Sequence, residues 1–293
     1  MGTGDGYIAP LALPFKPGTV TWRVNLEPGL MLGGGRALLL QVAHPLVAAG
    51  VAQHSDYQSD PWARLARTLD VMFKMAFADP AVSRRQSETL DATHRRVTGT
   101  SSDGVAYRAL DPALLVWVWA TLVDSALVVY ERCYGRLGTV DRERFYQEQK
   151  LIAYGCGVPE GACPERLADF ESYFAGVVET ELRVTPEARA VSDAISRPPL
   201  RRPLGPLAAG PLNLVTAGLL PPSVRHDYGL VWSDERERLL TAFFAIVGLV
   251  ARVVPRPLRQ LPGLYAVQRT KPLMPPRFLR AEKAGPARKT TAA

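Results

Sequence analysis

Four histidines are the scarce chemical resource of this sequence: His44, His54, His94 and His226. Imidazole is the side chain that binds transition metals through a neutral nitrogen and moves protons near pH 7. No H-E-x-x-H, C-x-x-C or paired E-x-x-H motif accompanies them, so zinc and di-iron carboxylate centres lack their ligand sets. The glycine-rich phosphate cradles G-x-x-x-x-G-K-[ST] and G-x-G-x-x-G are absent as well. His54-Ser55-Asp56 has the residue types of a hydrolytic triad, but adjacent residues on a helix do not face one another.

His94 stands apart from the other three. Leu90 lies four residues before it and Val97 three after, so the spacing puts all three on one helical face. An imidazole on an apolar wall can serve as an axial ligand to haem iron. By spacing alone, a core histidine satisfied by a carbonyl is the commoner outcome. Arg64, Arg67 and Thr68 alter that balance, because spacings of three and four gather them on one face of the preceding helix, beside Leu65 and Leu69. Two cations next to a hydroxyl make either a solvated surface pair or a set of donors for dioxygen, a peroxide anion or a haem propionate.

Helices must carry these residues. Arg36 to Gln53 is an apolar run interrupted by Pro45, which disfavours helical backbone at His44 and predicts a kink there. Asp60-Pro61 and Asp79-Pro80 start two more helices, the second expected to close at Gly99. Asp111-Pro112 caps a helix apolar almost all round, the profile of a central buried element. Further helices are expected at 140–155, 164–182 and 233–254, with an irregular lid or broken helical hairpin over 198–222. No strand alternation is visible. The expectation is an all-α single domain of about eight to ten helices.

Gly34-Gly35-Arg36, Gln41-Val42-Ala43-His44-Pro45, His54-Ser55, Asp60-Pro61-Trp62, Arg64-x-x-Arg67-Thr68 and His94-x-x-Val97-x-Gly99 occur in this order. Tyr107, Asp111-Pro112 and Trp117-x-x-Ala120-Thr121 follow. In order and spacing the sequence resembles the catalytic domain of the MpaB/rubber-oxygenase (latex-clearing protein) family over about residues 30 to 250. The resemblance implies an all-α fold enclosing a haem b, with His94 as the proximal iron ligand. It implies that Arg64, Arg67 and Thr68 form the distal set and contribute to both catalysis and cofactor binding. Arg67 stands where rubber oxygenases have lysine, which keeps the charge but changes the donor geometry. No acid occupies the helix of Arg36–Gln53 where those enzymes place a glutamate base, and His44 is its nearest ionisable substitute as an acid/base group. Trp119 stands where similar bacterial sequences often carry histidine, so a more apolar pocket is expected.

The function expected is a haem-dependent oxygenase or oxidase that uses dioxygen on a small hydrophobic substrate. A haem-binding or gas-sensing protein without turnover is the alternative, and a peripheral membrane or interaction protein the third. Gly33-Gly34-Gly35 is read as either an anion-facing helix start or a tight turn that lets helices pack closely.

Charge and cysteine usage narrow the field. The net charge is +7, but residues 269–293 carry +6 of it, so the folded body lacks the basic face of a nucleic-acid-binding domain. Three cysteines without C-x-x-C spacing fit a reducing cytoplasm and bland buried thiols. The N-terminus shows no basic region followed by an apolar one, so a cytoplasmic location is expected and polyisoprene is disfavoured as substrate. Leu239–Val254 is interrupted by Arg252 and too short to span a bilayer, leaving peripheral membrane contact as the lesser reading. The expected organisation is an extended arm (1–28), a helical haem-binding domain (29–260) and a Pro-rich basic tail (261–293).

Overall fold

The computed structural model of the protein describes residues 15–55, 61–196 and 204–270, with the backbone alone at 61–66, 204–208 and 270. It is helical throughout, apart from one short hairpin. Helix α1 (Val20–Asn25) and a 3-10 turn (Pro28–Gly33) lead into α2 (Gly34–Ala43) and α3 (Pro45–His54). Next come α4 (Pro61–Phe77), α5 (Pro80–His94), strands β1 (Thr98–Thr100) and β2 (Ala106–Arg108), and α6 (Pro112–Tyr134). Then follow α7 (Thr139–Gly155), α8 (Leu167–Thr180), α9 (Pro186–Ile195), α10 (Leu204–Leu219), α11 (Pro222–Asp227), α12 (Asp234–Val253), α13 (Arg256–Arg259) and α14 (Leu261–Thr270).

Pro45 acts as its chemistry dictates. His44 adopts φ −77° and ψ 120°, which ends α2 and serves as the N-cap position of α3. The bend between the two arms is 103°. Asp111 caps α6 by accepting from the Ala113 N–H at 2.9 Å, with Pro112 at the first helical position.

Helix α6 is long and apolar enough to cross a membrane, yet 67% of that stretch is buried inside the fold. Trp117 and Trp119 anchor it. Their indole N–H groups donate to Leu40 O at 3.2 Å and Gln149 O at 3.0 Å, so these large rings are buried without an unpaired donor. Phe174 stacks on Trp117, and Tyr146 and Phe170 pack against Trp119. Arg36 ties α2 to its neighbours: its Nε donates to Leu219 O at 2.7 Å and its Nη1 to Ser125 Oγ at 2.7 Å, while Nη2 pairs with Asp124 at 2.5 Å. The glycines before it permit close packing. A Cβ on Gly33 would lie 3.1 Å from Val129, and one on Gly35 would overlap the Thr216 side chain.

The structure departs from the sequence expectation in two local features. The helix expected to reach Gly99 ends at His94, and residues 98–100 instead pair antiparallel with 106–108, Gly99 opposite Tyr107. Gly99 leaves room there, since a Cβ would meet Gln53 Oε1 at 2.5 Å and the Tyr107 hydroxyl at 2.7 Å and displace the hydrogen bond between them. Within the stretch expected to be extended, Val20–Asn25 is a helix capped by the Thr19 hydroxyl, which accepts from Trp22 N at 3.1 Å. Of the stretch 198–222, expected as an irregular lid or a broken helical hairpin, the described part from Leu204 is helical, with α10 tolerating an internal Pro211 and a break before α11.

Candidate functional site

A cavity of about 410 Å³ opens between α3, α4, α5 and α6. Helix α5 contributes Leu90, Thr93 and His94, and Val97 follows from the start of the hairpin. Leu90, His94 and Val97 therefore share one wall, as their spacing predicts, although Val97 lies beyond the helix end. Arg67, Thr68, Val71 and Met72 line it from α4, and Leu46, Val47, Gly50, Val51 and His54 from α3. Leu114, Leu115, Val118, Trp119 and Leu122 form the α6 wall, with Gln41, Tyr107, Cys156 and Val158 completing the site.

His94 is the half-buried imidazole of this cavity. Its Nδ1 is enclosed and has no hydrogen-bond partner among the described residues. Burial lowers its pKa, opposed by the nearby Asp91 carboxylate, so the ring is neutral at pH 7, the form that binds a metal. Of the two sulfur side chains in the wall, the Met72 thioether and the Cys156 thiol, only Cys156 is ionisable. Burial pushes its thiol up to about 12, so it remains protonated and is a poor thiolate ligand. His54 is exposed, and its Nε2 donates to Thr98 O at 3.0 Å, an interaction that ties α3 to β1. The Tyr107 hydroxyl donates to Gln53 Oε1 at 2.7 Å and fastens the hairpin to the same helix.

Arg67 is exposed while lining the cavity, which puts it at the rim, whereas Thr68 is half-buried in the wall. The Arg64 side chain lies outside the described residues. Gln41 is oriented by its amide, which donates to Thr121 Oγ1 at 3.1 Å. A second cavity of about 300 Å³ adjoins the first, and Gln41, Thr68, Met72 and Leu122 line both. Its remaining wall is mostly apolar, with Leu26, Leu30, Leu38, Leu69, Phe73 and Phe77, closed by Pro262, Gly263 and Ala266 of α14.

His44 is not among the residues lining either cavity. Its Nε2 faces Glu181 at 3.5 Å, its Nδ1 is buried without a partner, and burial lowers its pKa against the opposing pull of Glu181. His226 is a surface residue beside Asp227. Trp119 does reach the cavity wall, which is correspondingly apolar at that position. Cys156 and Val158 reach the site from the end of α7, and no periodic pattern connects them to His94 in the sequence.

The fold is a set of helices around a largely apolar cavity, with a half-buried imidazole in its wall and a cation at its rim. Residues 22–252 match the family described as the catalytic domain of ER-bound oxygenase mpaB/B' and rubber oxygenase, and the chain belongs to that family. Two mycobacterial relatives, the uncharacterised proteins Mb2261 of Mycobacterium bovis and Rv2237 of Mycobacterium tuberculosis, are each 30% identical to it over 231 residues. Those alignments cover 74% of this chain and 87% of theirs. The fold is similar to that of latex clearing protein LCP in its closed state, with a TM-score of 0.55 at 17% identity, over 86% of this chain and 71% of that one.

Proposed function

We propose that this protein is a haem b-dependent oxygenase or oxidase that turns over a small hydrophobic substrate with dioxygen, with His94 holding the iron. The observation that carries this reading is the neutral His94 imidazole, its Nδ1 buried and unpartnered, on the wall of a largely apolar cavity. The donor set fits haem: one imidazole nitrogen for the iron, apolar faces for the macrocycle, and Arg67 at the rim for a propionate or a reduced oxygen species. When bound, haem supplies a redox-active iron at which dioxygen can be reduced.

The chain's own residues do the rest. His94 binds the metal and keeps its lone pair available because burial suppresses protonation. Leu90, Val97, Val118 and Leu122 exclude water, which strengthens each electrostatic contact within the cavity. Arg67 and the Thr68 hydroxyl, joined by Arg64 on the same helix, stabilise negative charge that develops near them. The adjoining apolar cavity seats the substrate, and Thr68, in the wall common to both, lies where substrate and oxidant meet. His44 receives no step, because its imidazole faces Glu181 rather than either cavity.

Absorption spectroscopy of protein expressed with haem supply tests the reading. The wild type is expected to show a Soret band that shifts on reduction and again with carbon monoxide. His94→Ala is expected to lose most of it, while Arg67→Ala/Thr68→Ala keeps the haem and loses turnover. A wild type without haem, or a His94→Ala variant with an unchanged ligand signature, overturns the assignment. Full turnover by the Arg67→Ala/Thr68→Ala variant removes the distal role.

A further inference from the structure

Large apolar side chains left in solvent are not spread evenly over this molecule. Eight of the thirteen exposed ones among the described residues lie between Leu239 and Tyr265. Five of these, Leu239, Ile246, Leu249, Val250 and Val253, belong to α12. At 3.6 residues per turn they fall within about 100° of its circumference. The opposite side carries Leu240 and Phe244, buried against Val129 and Cys133 of α6 and Val215 and Leu219 of α10. The helix thus has two apolar faces, and the fold covers one of them. Leu258 of α13 and Leu261 and Tyr265 of α14 extend the uncovered apolar surface along the chain.

The first turn of α12 carries Asp234, Glu235 and Glu237 among its arginines, but beyond Leu239 the charge along this surface has one sign. No acidic residue occurs from Leu239 to Ala281, while Arg252 and Arg269 are exposed within the described part. The chain then continues through Lys271, Arg277, Arg280 and Lys283, with Glu282 as the one acid after Leu239. Arg269 sits over the Tyr265 ring at 6.0 Å, a basic group beside an aromatic one as at a headgroup boundary. A second protein copy would bring an equally basic strip against this one, at a cost in like-charge repulsion. An anionic lipid surface complements both the apolar face and the charge.

We propose that the exposed α12–α14 surface docks on an anionic lipid bilayer, its apolar side chains entering the headgroup region and its arginines meeting lipid phosphates. The position has a functional corollary. Helix α14 turns Pro262, Gly263 and Ala266 toward the second cavity while Leu261 and Tyr265 are exposed, so a single helix separates that apolar chamber from the docking surface. A lipid-dissolved substrate would have a short route to the chamber. The docking itself does not depend on the haem assignment.

Flotation of the full chain with vesicles tests it, using phosphatidylcholine alone or with about one third phosphatidylglycerol. Wild-type protein is expected to float with the anionic vesicles, and to float less in high salt. Ile246→Glu/Val250→Glu is expected to weaken this binding at least about tenfold. Both positions are exposed, so the melting temperature should hold; if it does not, Leu261→Ser/Tyr265→Ser on α14 provides the same test. Neutralising Lys271, Arg277, Arg280 and Lys283 to Gln should weaken binding to anionic vesicles only. Wild-type protein that stays unbound, or an Ile246→Glu/Val250→Glu variant that floats like wild type, overturns the proposal. Equal binding to both vesicle types overturns its electrostatic half. A dimer dissociated by Ile246→Glu/Val250→Glu, without vesicle binding, assigns the surface to a second copy instead.

Discussion

His94 and His44 are the same residue type in two different surroundings. His94 lines a cavity, where burial is opposed by Asp91 of its own helix. His44 sits at the α2–α3 bend, where burial is partly offset by Glu181. Both folded pKa values lie below the ordinary 6.5. For His44 the sign follows from linkage. The unfolded chain takes up a proton near its ordinary pKa that the folded chain refuses until lower pH, so stability declines as pH falls below about 6.5. The apoprotein is therefore expected to melt at lower temperature at pH 5.5 than at pH 7.5. In His44→Leu that gap should narrow, as read by circular dichroism melts at the two pH values. A gap of unchanged size would show that His44 takes up its proton equally in the folded and unfolded chains. Arg67 was identifiable by its spacing from Arg64, but its position at the rim of the cavity was not, since a three-residue spacing fixes a helical face and not the depth to which it is buried.

At the scale of elements, the site depends on contacts between segments far apart in sequence. The carboxylate of Glu27, before the 3-10 turn, is fully buried. Arg259 grips it with Nε at 2.7 Å and Nη2 at 3.1 Å, Gln260 donates at 2.9 Å, and Arg256 stands at 3.4 Å. Those partners lie at the α13–α14 junction, so the clasp holds in place the helix that walls the second cavity. Removing one partner of a buried ion pair leaves the other uncompensated. Glu27→Ala is expected to cost about 3 kcal/mol, read as a lower urea midpoint, and to loosen α14, read as faster amide exchange over 261–270. Arg259→Lys keeps the charge but loses the two-pronged grip, and should fall between wild type and Glu27→Ala. Unchanged exchange in α14 of Glu27→Ala would mean that apolar packing alone seats that helix. None of this was legible in the sequence. Glu27 and Arg259 are separated by more than two hundred residues, and no local pattern marks either as paired.

At the scale of the whole molecule, two cavities share the wall of Gln41, Thr68, Met72 and Leu122, between helices contributed by distant parts of the chain. A cofactor that binds only the folded form adds its binding free energy to stability. Haem-loaded protein should therefore melt several degrees higher than the apoprotein, a difference that His94→Ala should largely erase; differential scanning calorimetry of the four samples gives the comparison. Equal melting of loaded and empty wild type would place the haem outside the cooperative core. The sequence by itself determined the helical class, the bend at His44-Pro45, the cap at Asp111 and the shared face of Leu90, His94 and Val97. Each is a matter of near neighbours: a proline's fixed φ, a carboxylate two residues from an amide, a 3.6-residue period. Tertiary structure alone decided that His44 turns to Glu181 while His94 turns to a cavity, that Gly99 is a strand residue pressed against Gln53 and Tyr107, and that α12 keeps a second apolar face uncovered. A helix's own period reveals which side is apolar, but what lies against that side is set by residues that meet it only after the chain has folded.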